Sequence, residues 1–290
     1  MKKNKVSKAI IFTVFFIISL TYILPFLLLL GISFSKESDL INYGFRIIPR
    51  TFTVTAYSTL FKNPVQLLRA FGVTVFYSTV PVAIGIFCTA CCGYALSQKD
   101  FKLRGIIKIY VLITMFFGGG IVPTYILRTQ YLGLQNNIWV YFFSWTISGM
   151  TVFIFRTFFS QLPLELFESA RLDGASEFRI ITSIVIPLSK AIIATYFLFG
   201  MLDAWNDYLA SLYYITDDKL YTVQYLLQKY LQEAEMIKKI ILQMGIDAAK
   251  PPTETLKFAV CVIGAVPMMI IFPLFQKFFS KGVMIGAVKG

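Results

Sequence analysis

Leu162-Pro163-Leu164-Glu165-Leu166-Phe167-Glu168-Ser169-Ala170-Arg171-Leu172-Asp173-Gly174-Ala175-Ser176-Glu177-Phe178 is the stretch from which the rest of this 290-residue chain can be ordered. Nine residues after Gly174 it closes on Ile184-Val185-Ile186-Pro187. Pro163 suits the first turn of a helix, where its missing N–H is not needed, and Glu165 favours the positive end of that helix. Asp173-Gly174 is a stop or tight turn. A second short helix is predicted from there to Pro187. The result is a helix-turn-helix, with Leu164, Phe167, Ala170 and Arg171 on related faces. By periodicity alone, an interfacial hairpin that only caps a helical bundle fits as well as a working loop.

The composition says what this hairpin lies beside. Hydrophobic residues make up 57% of the chain, aromatic residues 17% and charged residues 14%, against about 25% charged in an ordinary soluble domain. Twenty-nine Phe and 16 Tyr cannot all hide in one water-soluble core. An ordinary cytosolic enzyme, a disordered chain and a nucleic-acid-binding domain are excluded, even though the net charge is +12. A polytopic helical membrane protein with basic flanks accounts for both facts. There is no His, hence no His metal ligand, triad or proton relay. Cys88, Cys91, Cys92 and Cys261 all lie in apolar runs. The Cys88-x-x-Cys91 spacing falls inside a predicted membrane helix, where packing explains it better than redox or metal chemistry.

A helix needs about 20 apolar residues to cross the hydrocarbon. Six stretches qualify: 9–32, 70–96, 106–127, 138–159, 184–209 and 258–277. The first is too long for a signal-peptide core and no small-x-small cleavage site follows, so it is expected to be a retained span. Lys2, Lys3, Lys5 and Lys8 place the N-terminus in the cytoplasm. Lys99, Lys102, Arg104 and Lys108 against Asp100, then Arg156, Arg171, Arg179, Lys277, Lys281 and Lys289, agree with that orientation and return the C-terminus to the same side. The chain thus divides into 1–69 (tail, first span, outer loop), 70–277 (core, with cytoplasmic loop 160–187 and outer loop 210–257) and a tail, 278–290. The outer loop contains an amphipathic helix through Leu220, Val223, Leu226, Leu227, Tyr230, Leu231 and Ile237, with Glu233, Glu235, Lys238 and Lys239 expected on its wet side. Pro251-Pro252 stops it. Gly282, Gly286 and Gly290 suggest an irregular tail.

Two places suit a polar path. Gly118-Gly119-Gly120 with Pro123 is expected to break the third span, which is tolerated where protein or a wet cavity satisfies the backbone; close helix packing is the alternative. Asp203, Asn206 and Asp207 fall near the outer end of the fifth span, beside Trp205, Tyr208, Tyr213 and Tyr214. Such a cluster suits the lining of a path, although an aromatic belt with snorkelling acids has the same composition.

The spacing in the opening stretch resembles a known signature. Glu168-Ser169-Ala170, three residues, Gly174, nine residues, Ile184-x-Ile186-Pro187 is similar to the EAA pattern of ABC importer permeases, departing from it only at Ser169 and Ile186. Tyr94-Ala95-Leu96-Ser97, Gly119-Gly120-Ile121-Val122-Pro123-Thr124-Tyr125, Leu132-Gly133-Leu134 and Trp205-Asn206-Asp207 look like the MalG-type sugar permeases. The tail from Gln276-Lys277-Phe278-Phe279 through Lys281-Gly282-Val283-Met284-Ile285-Gly286-Ala287-Val288-Lys289-Gly290 is similar to the LplC/YtcP-type subgroup, associated with complex saccharides.

The resemblance implies an all-α membrane protein with the type I (MetI-like) importer fold, six transmembrane helices and both termini cytoplasmic. It implies a multi-pass protein of the plasma membrane of a Gram-positive bacterium. The implied partners are a second permease subunit in a heterodimer, two ABC ATPase subunits, an extracellular substrate-binding lipoprotein, membrane lipid and a saccharide; no nucleic acid is involved. The coupling loop to the ATPase would use Glu165, Glu168, Ser169, Ala170, Arg171, Asp173 and Gly174, with Glu177 among the acids facing that subunit. The substrate path would use Gly119, Gly120, Tyr125, Asp203, Trp205, Asn206 and Asp207. The tail would dock on the ATPases, and the tip of the outer loop, 245–252, would reach the binding protein or lie on the bilayer. No catalytic residue, metal or cofactor is expected on this chain. ATP and Mg belong to the partner ATPases, in keeping with the absence of a Gly-x4-Gly-Lys-Ser/Thr phosphate loop. An ion-coupled secondary transporter is the rival from another class, but spans one, two, three and six hold no ionisable group well inside them. An intramembrane enzyme lacks any placed acid pair or metal cluster.

Overall fold

A computed structural model describes residues 2–144, 147–244 and 252–286. In chain order the helices are α1 (Lys2–Ser33), α2 (Glu37–Tyr43), α3 (Thr55–Leu60), α4 (Pro64–Ser97), α5 (Arg104–Phe116), α6 (Ile121–Ile126), α7 (Val140–Ser144), α8 (Gly149–Phe159), α9 (Leu164–Leu172), α10 (Glu177–Ile180), α11 (Ile186–Leu188), α12 (Lys190–Asn206), α13 (Leu209–Tyr214), α14 (Val223–Met244) and α15 (Thr253–Gly286). Single π turns extend α6 over Leu127–Tyr131 and join α10 to α11 over Ile181–Val185. Among the described residues the only β pairing is an isolated bridge, Ser35 to Phe52.

Three helices are long and apolar enough to cross a membrane: Ile10–Ser33, Pro64–Ser97 and Thr253–Gln276. Two bent pairs pass the same test if each counts as one crossing, which makes up to five; α8 is a shorter apolar helix. The third predicted span is broken where the glycines foretold, with Arg104–Phe116 and Ile121–Tyr131 meeting at 113°. Gly120 has φ +79° and ψ 174°, a backbone state essentially confined to glycine that costs other residues about 1–3 kcal/mol. The fourth predicted span, 138–159, is not one helix. Residues 147 and 148 are non-helical, Ser148 is extended, and α8 begins at Gly149. A Cβ on Gly149 would lie 2.7 Å from Met115 Cγ and 3.1 Å from Val111 O, so α8 starts where it presses on α5.

The fifth span is shorter than the predicted 184–209. Glu177–Leu188 and Lys190–Asn206 meet at 86°, and the break at Ser189 follows Pro187, which cannot donate to the helical ladder. The sixth starts earlier than 258 because Pro252 and the first helical residues Thr253 and Glu254 set its beginning. It also runs on beyond 277: the tail predicted to be irregular is helical to Gly286, and residues 287–290 lie outside the described residues. Gly282 and Gly286 each cost a helix only about 1 kcal/mol, and no proline follows Pro273.

The chain forms two compact units, residues 1–67 with 226–267, and residues 68–225 with 268–290. In the first, Ile32, Leu40, Leu60, Leu226, Leu227 and Leu256 are buried. Its α2 supplies a cap for α15: Glu37 accepts the backbone N–H groups of Glu254 and Thr255, each at 2.9 Å, and the Thr255 hydroxyl at 2.9 Å. These are two of the four donors that a helix start leaves unsatisfied. On α14, Val223, Leu226 and Leu227 are buried as the periodicity required, but Ile237 is exposed. Lys238 and Glu235, assigned to the wet side, instead face α15: Lys238 donates to Thr253 at 2.8 Å, and Glu235 pairs with Lys257 at 3.1 Å. In the second unit Tyr77, Leu96, Tyr141, Phe155, Leu198 and Trp205 are buried. Large apolar side chains stay exposed along α1 and α5, as a lipid-facing surface requires.

Candidate functional site

The loop from Leu162 to Pro187 is built as its sequence dictates. Pro163 stands at the start of α9, with Glu165 in the first turn and Arg171 in the last, both favourable to the helix dipole. The end is a Schellman motif: Gly174 N–H donates to Arg171 O at 3.0 Å, and Ala175 N–H to Ala170 O at 2.9 Å. Gly174 sits at φ +75°, which is why glycine stands there. Ser176 then caps α10 by accepting the Arg179 N–H at 3.3 Å.

Phe167 anchors the inner face of α9, 2% exposed, with its ring edge-on to Tyr94 at 5.9 Å. Ala170 and Arg171 are half-buried beside it, whereas Leu164, expected on the same face, is exposed. Glu165, Glu168, Ser169, Asp173 and Gly174 are all exposed. So are Leu166 and Leu172, the latter at 89%. An exposed leucine beside three acids is a surface that a protein partner covers well. No periodicity singles Leu172 out.

Glu177 is exposed like the other acids, its side chain at 56%, and two side chains hold it in place. Tyr94 donates its hydroxyl to Glu177 Oε2 at 2.6 Å, and Arg171 Nε donates to Glu177 Oε1 at 2.9 Å. Arg171 Nη2 donates to Gln98 Oε1 at 2.9 Å. The hydrogen bond from Arg171 holds the Glu177 carboxyl below its ordinary range, against desolvation and with help from Tyr94. Arg156 Nε donates to Leu96 O at 3.2 Å, satisfying a carbonyl at the end of α4. An open cleft of about 500 Å³ beside this network is lined by Tyr94, Gln98, Asp100, Phe101, Arg171 and Glu177, among others. Neither Gln98 nor the Tyr94–Glu177 pair was legible as a partner of the loop, because each lies more than 70 residues from its contact.

The outer cluster separates into two kinds of residue. Asp203 and Asn206 are exposed on α12, on one stripe with Phe199, which is 49% exposed. Among the described residues Asp203 has no hydrogen-bond or ion-pair partner. Asp207, one residue past α12, is structural. Its Oδ2 accepts the Tyr77 hydroxyl at 2.7 Å, and its Oδ1 accepts the N–H groups of Leu209 and Ala210 at 2.9 and 3.1 Å, capping α13. Tyr77 is 2% exposed and packs on Tyr141, whose hydroxyl reaches Ser211 at 2.9 Å and Leu220 O at 2.6 Å. Thr222 and Thr74 continue this buried polar chain to the start of α14.

The aromatic residues divide in the same way. Trp205 is turned into the core, 2% exposed, near Phe71, and Tyr214 is 3% exposed with Tyr125 stacked on it at 5.8 Å. Tyr208 and Tyr213 remain on the surface. Among the described residues a Cβ on Gly118, Gly119 or Gly120 would meet nothing within 4 Å, so close packing against them does not explain these glycines. Asn136, at φ +53°, clamps the following loop by accepting N–H groups of Thr216 and Asp217 at 2.6 and 3.0 Å. The loop tip at 245–251 lies outside the described residues.

No group of three or more metal-ligating side chains occurs among the described residues. What the chain offers chemically is an exposed loop closed by a Schellman turn and an exposed polar stripe on α12.

Comparison with known proteins places this geometry. Residues 1–285 match the family model described as binding-protein-dependent transport system inner membrane component. Protein LplC of Bacillus subtilis (strain 168) is 37% identical over 270 residues, covering 92% of this chain and 90% of its own. The polygalacturonan/rhamnogalacturonan transport system permease protein YtcP of the same organism is 31% identical over 288 residues, covering 99% and 100%. Among solved structures, a permease-sized chain in the crystal structure of a bacterial ABC transporter involved in the import of the acidic polysaccharide alginate superposes with a TM-score of 0.74. It is 22% identical and covers 96% of this chain and 98% of that one, a likeness of fold.

Proposed function

The chain belongs to the family of binding-protein-dependent transport system inner membrane components, and from that premise we propose that it couples ATP hydrolysis on partner subunits to import of an oligosaccharide. As a permease of this family it is a transporter subunit and not an enzyme. The observation that carries the coupling reading is the loop: a helix-turn-helix fixed by a Schellman turn, whose outward face holds Glu165, Glu168, Ser169, Asp173 and Leu172. Its rigidity suits a part that must transmit a push. In this reading the loop seats on one of two ATPase subunits, which bind ATP and Mg. A second permease subunit completes the path, and an extracellular lipoprotein delivers the sugar.

The saccharide assignment rests on relatives. YtcP is described as a polygalacturonan/rhamnogalacturonan permease, and AraQ of Bacillus subtilis (strain 168), 29% identical over 283 residues, as an arabinooligosaccharide permease. On this chain the path is assigned to the exposed stripe Asp203 and Asn206, with the broken helix at Gly119 and Gly120 near the outer gate and Tyr125 behind it. Six crossings of the plasma membrane, with cytoplasmic termini, follow if α1, α4, α15, the two bent pairs and α8 each cross once. That topology makes 1–69, 70–277 and 278–290 the tail-and-first-span, core and tail segments. The bacterial relatives named here are from Bacillus, in keeping with a Gram-positive host.

Replacement of Glu168 by alanine or of Gly174 by valine tests the coupling reading in the complex reconstituted with its sister permease and ATPases. The expected result is loss of ATPase binding or of coupled ATP hydrolysis. Unchanged assembly and hydrolysis with both variants would falsify it.

A further inference from the structure

The coupling loop is joined to the fifth span through a joint. Between α11 and α12 the chain turns by 86° at Ser189, whose hydroxyl is buried without a hydrogen-bond partner among the described residues. Backbone bonds carry the chain through it: Ser189 N–H donates to Val185 O at 3.0 Å and Ile186 O at 3.1 Å, and Ser189 O accepts from Ile193 N–H at 3.1 Å. A second connection is better braced. Tyr94 and Gln98, at the inner end of α4, take hold of the loop on both sides of its turn: Arg171 before Gly174 and Glu177 after it. The Arg171–Glu177 pair at 2.9 Å closes the bracket and sets the angle between α9 and α10, and Phe167 packs against the same tyrosine ring. Charge-assisted bonds of this kind are about twice as strong as neutral ones, and two of them share Glu177.

The other end of the connection is equally specific. α4 is continuous from Pro64 to Ser97, although Pro81 has no N–H to donate to Tyr77 O and the ladder misses that one bond. Tyr77 on the same helix donates to Asp207 at the outer end of α12. Tyr77 and Tyr94 are 17 residues apart, a span of about 25 Å at the α-helical rise of ~1.5 Å per residue. One unbroken rod therefore touches the coupling loop at one end and the outer mouth at the other, each time through a tyrosine hydroxyl on a carboxylate.

We propose that α4 is a second lever: the Tyr94–Glu177–Arg171–Gln98 latch makes the loop and the inner end of α4 move as one body, so that movement of the loop reaches Asp207 directly. Tyr94, Gln98 and Glu177 are positioning residues in this scheme. The proposal rests on the coupling reading above, and its test separates the two.

The experiment uses the complete complex in nanodiscs, with Cys88, Cys91, Cys92 and Cys261 replaced by serine; none of the four is fully buried. Spin labels are attached through Lys99→Cys and Ser183→Cys, both exposed sites. The distance between them is measured without nucleotide and after trapping with ATP and vanadate. A single narrow distance that trapping leaves unchanged, and that broadens and shifts on trapping when Tyr94→Phe and Glu177→Gln are added, supports the lever. A wild-type distance that itself shifts on trapping overturns it, and so does a double variant that behaves as wild type. A label at Glu165→Cys reports on the underlying reading. If ATPase binding immobilises it while the distance test fails, the lever alone is wrong. If ATPase binding leaves it mobile, the loop does not seat on the ATPase and both fall.

Discussion

Gly31→Ala is expected to destabilise the first compact unit severely, although it adds a single methyl group. The new Cβ would lie 2.0 Å from Ile47 O, 2.6 Å from Ile47 C and 2.8 Å from Arg46 O. All three are backbone atoms, so no side chain can rotate to make room. The segment after α2, at Arg46 and Ile47, passes directly over the end of α1, and Gly31 is buried beneath it. Overpacking costs about 1–3 kcal/mol where side chains can yield; where only backbone faces the intruder the upper end applies. The fold loses either the helical end of α1 or the loop's path across it. A thermal melt of the purified chain in detergent, followed by intrinsic fluorescence, measures this. Gly72→Ala on α4 is the control. Among the described residues nothing beyond its own helix lies within 4 Å of its added Cβ, and alanine is the better helix former by about 0.5–1 kcal/mol. A melting temperature unaffected by Gly31→Ala would show that the close approach is not real.

The second large effect is expected from Asp207→Ala. Three donors lose their acceptor at once: the Tyr77 hydroxyl and the N–H groups of Leu209 and Ala210. The hydroxyl is buried, and a buried polar group left unpaired costs about 1–3 kcal/mol. The lost cap adds about 0.5–2 kcal/mol. Tyr77→Phe removes the donor together with its need for a partner and should cost much less. The double variant should therefore be less destabilised than the sum of the two, because once Tyr77 has no hydroxyl only the cap remains to be lost. If Asp207→Ala melts like the unsubstituted protein and only transport falls, Asp207 belongs to the sugar path after all. Asp203→Asn makes the complementary comparison: Asp203 is exposed and unpartnered, so its loss should leave the melting temperature in place.

These contrasts show what a one-dimensional reading can reach. The loop was legible because its determinants are local. Pro163 starts a helix, Gly174 alone tolerates φ +75° at low cost, and Pro187 interrupts the ladder within two residues of the observed bend. The glycine break in the third span was legible for the same reason. Length and hydropathy found the apolar stretches but not their continuity. Whether 138–159 forms one helix depends on how Gly149 meets α5, a tertiary contact. The acids were the hardest to read. Glu177 and Asp207 look like Asp203 and Glu168 in sequence, and their partners, Tyr94 and Tyr77, are 83 and 130 residues away. Composition identified the scarce charges as informative; only distances separate those that hold the fold from those left facing outward. Trp205 makes the same point, since an aromatic beside two acids suggests a sugar platform until its burial is seen.

The central claim is that this chain carries substrate only as part of an ATP-driven importer. The most direct measurement is uptake of a labelled oligosaccharide, chosen from those the binding protein retains, into proteoliposomes holding this chain, its sister permease and the ATPase subunits. The account predicts uptake that requires both the binding protein and ATP with Mg on the ATPase side, and that persists when proton and sodium gradients are collapsed. Uptake driven by an ion gradient in vesicles without the ATPase subunits would contradict it.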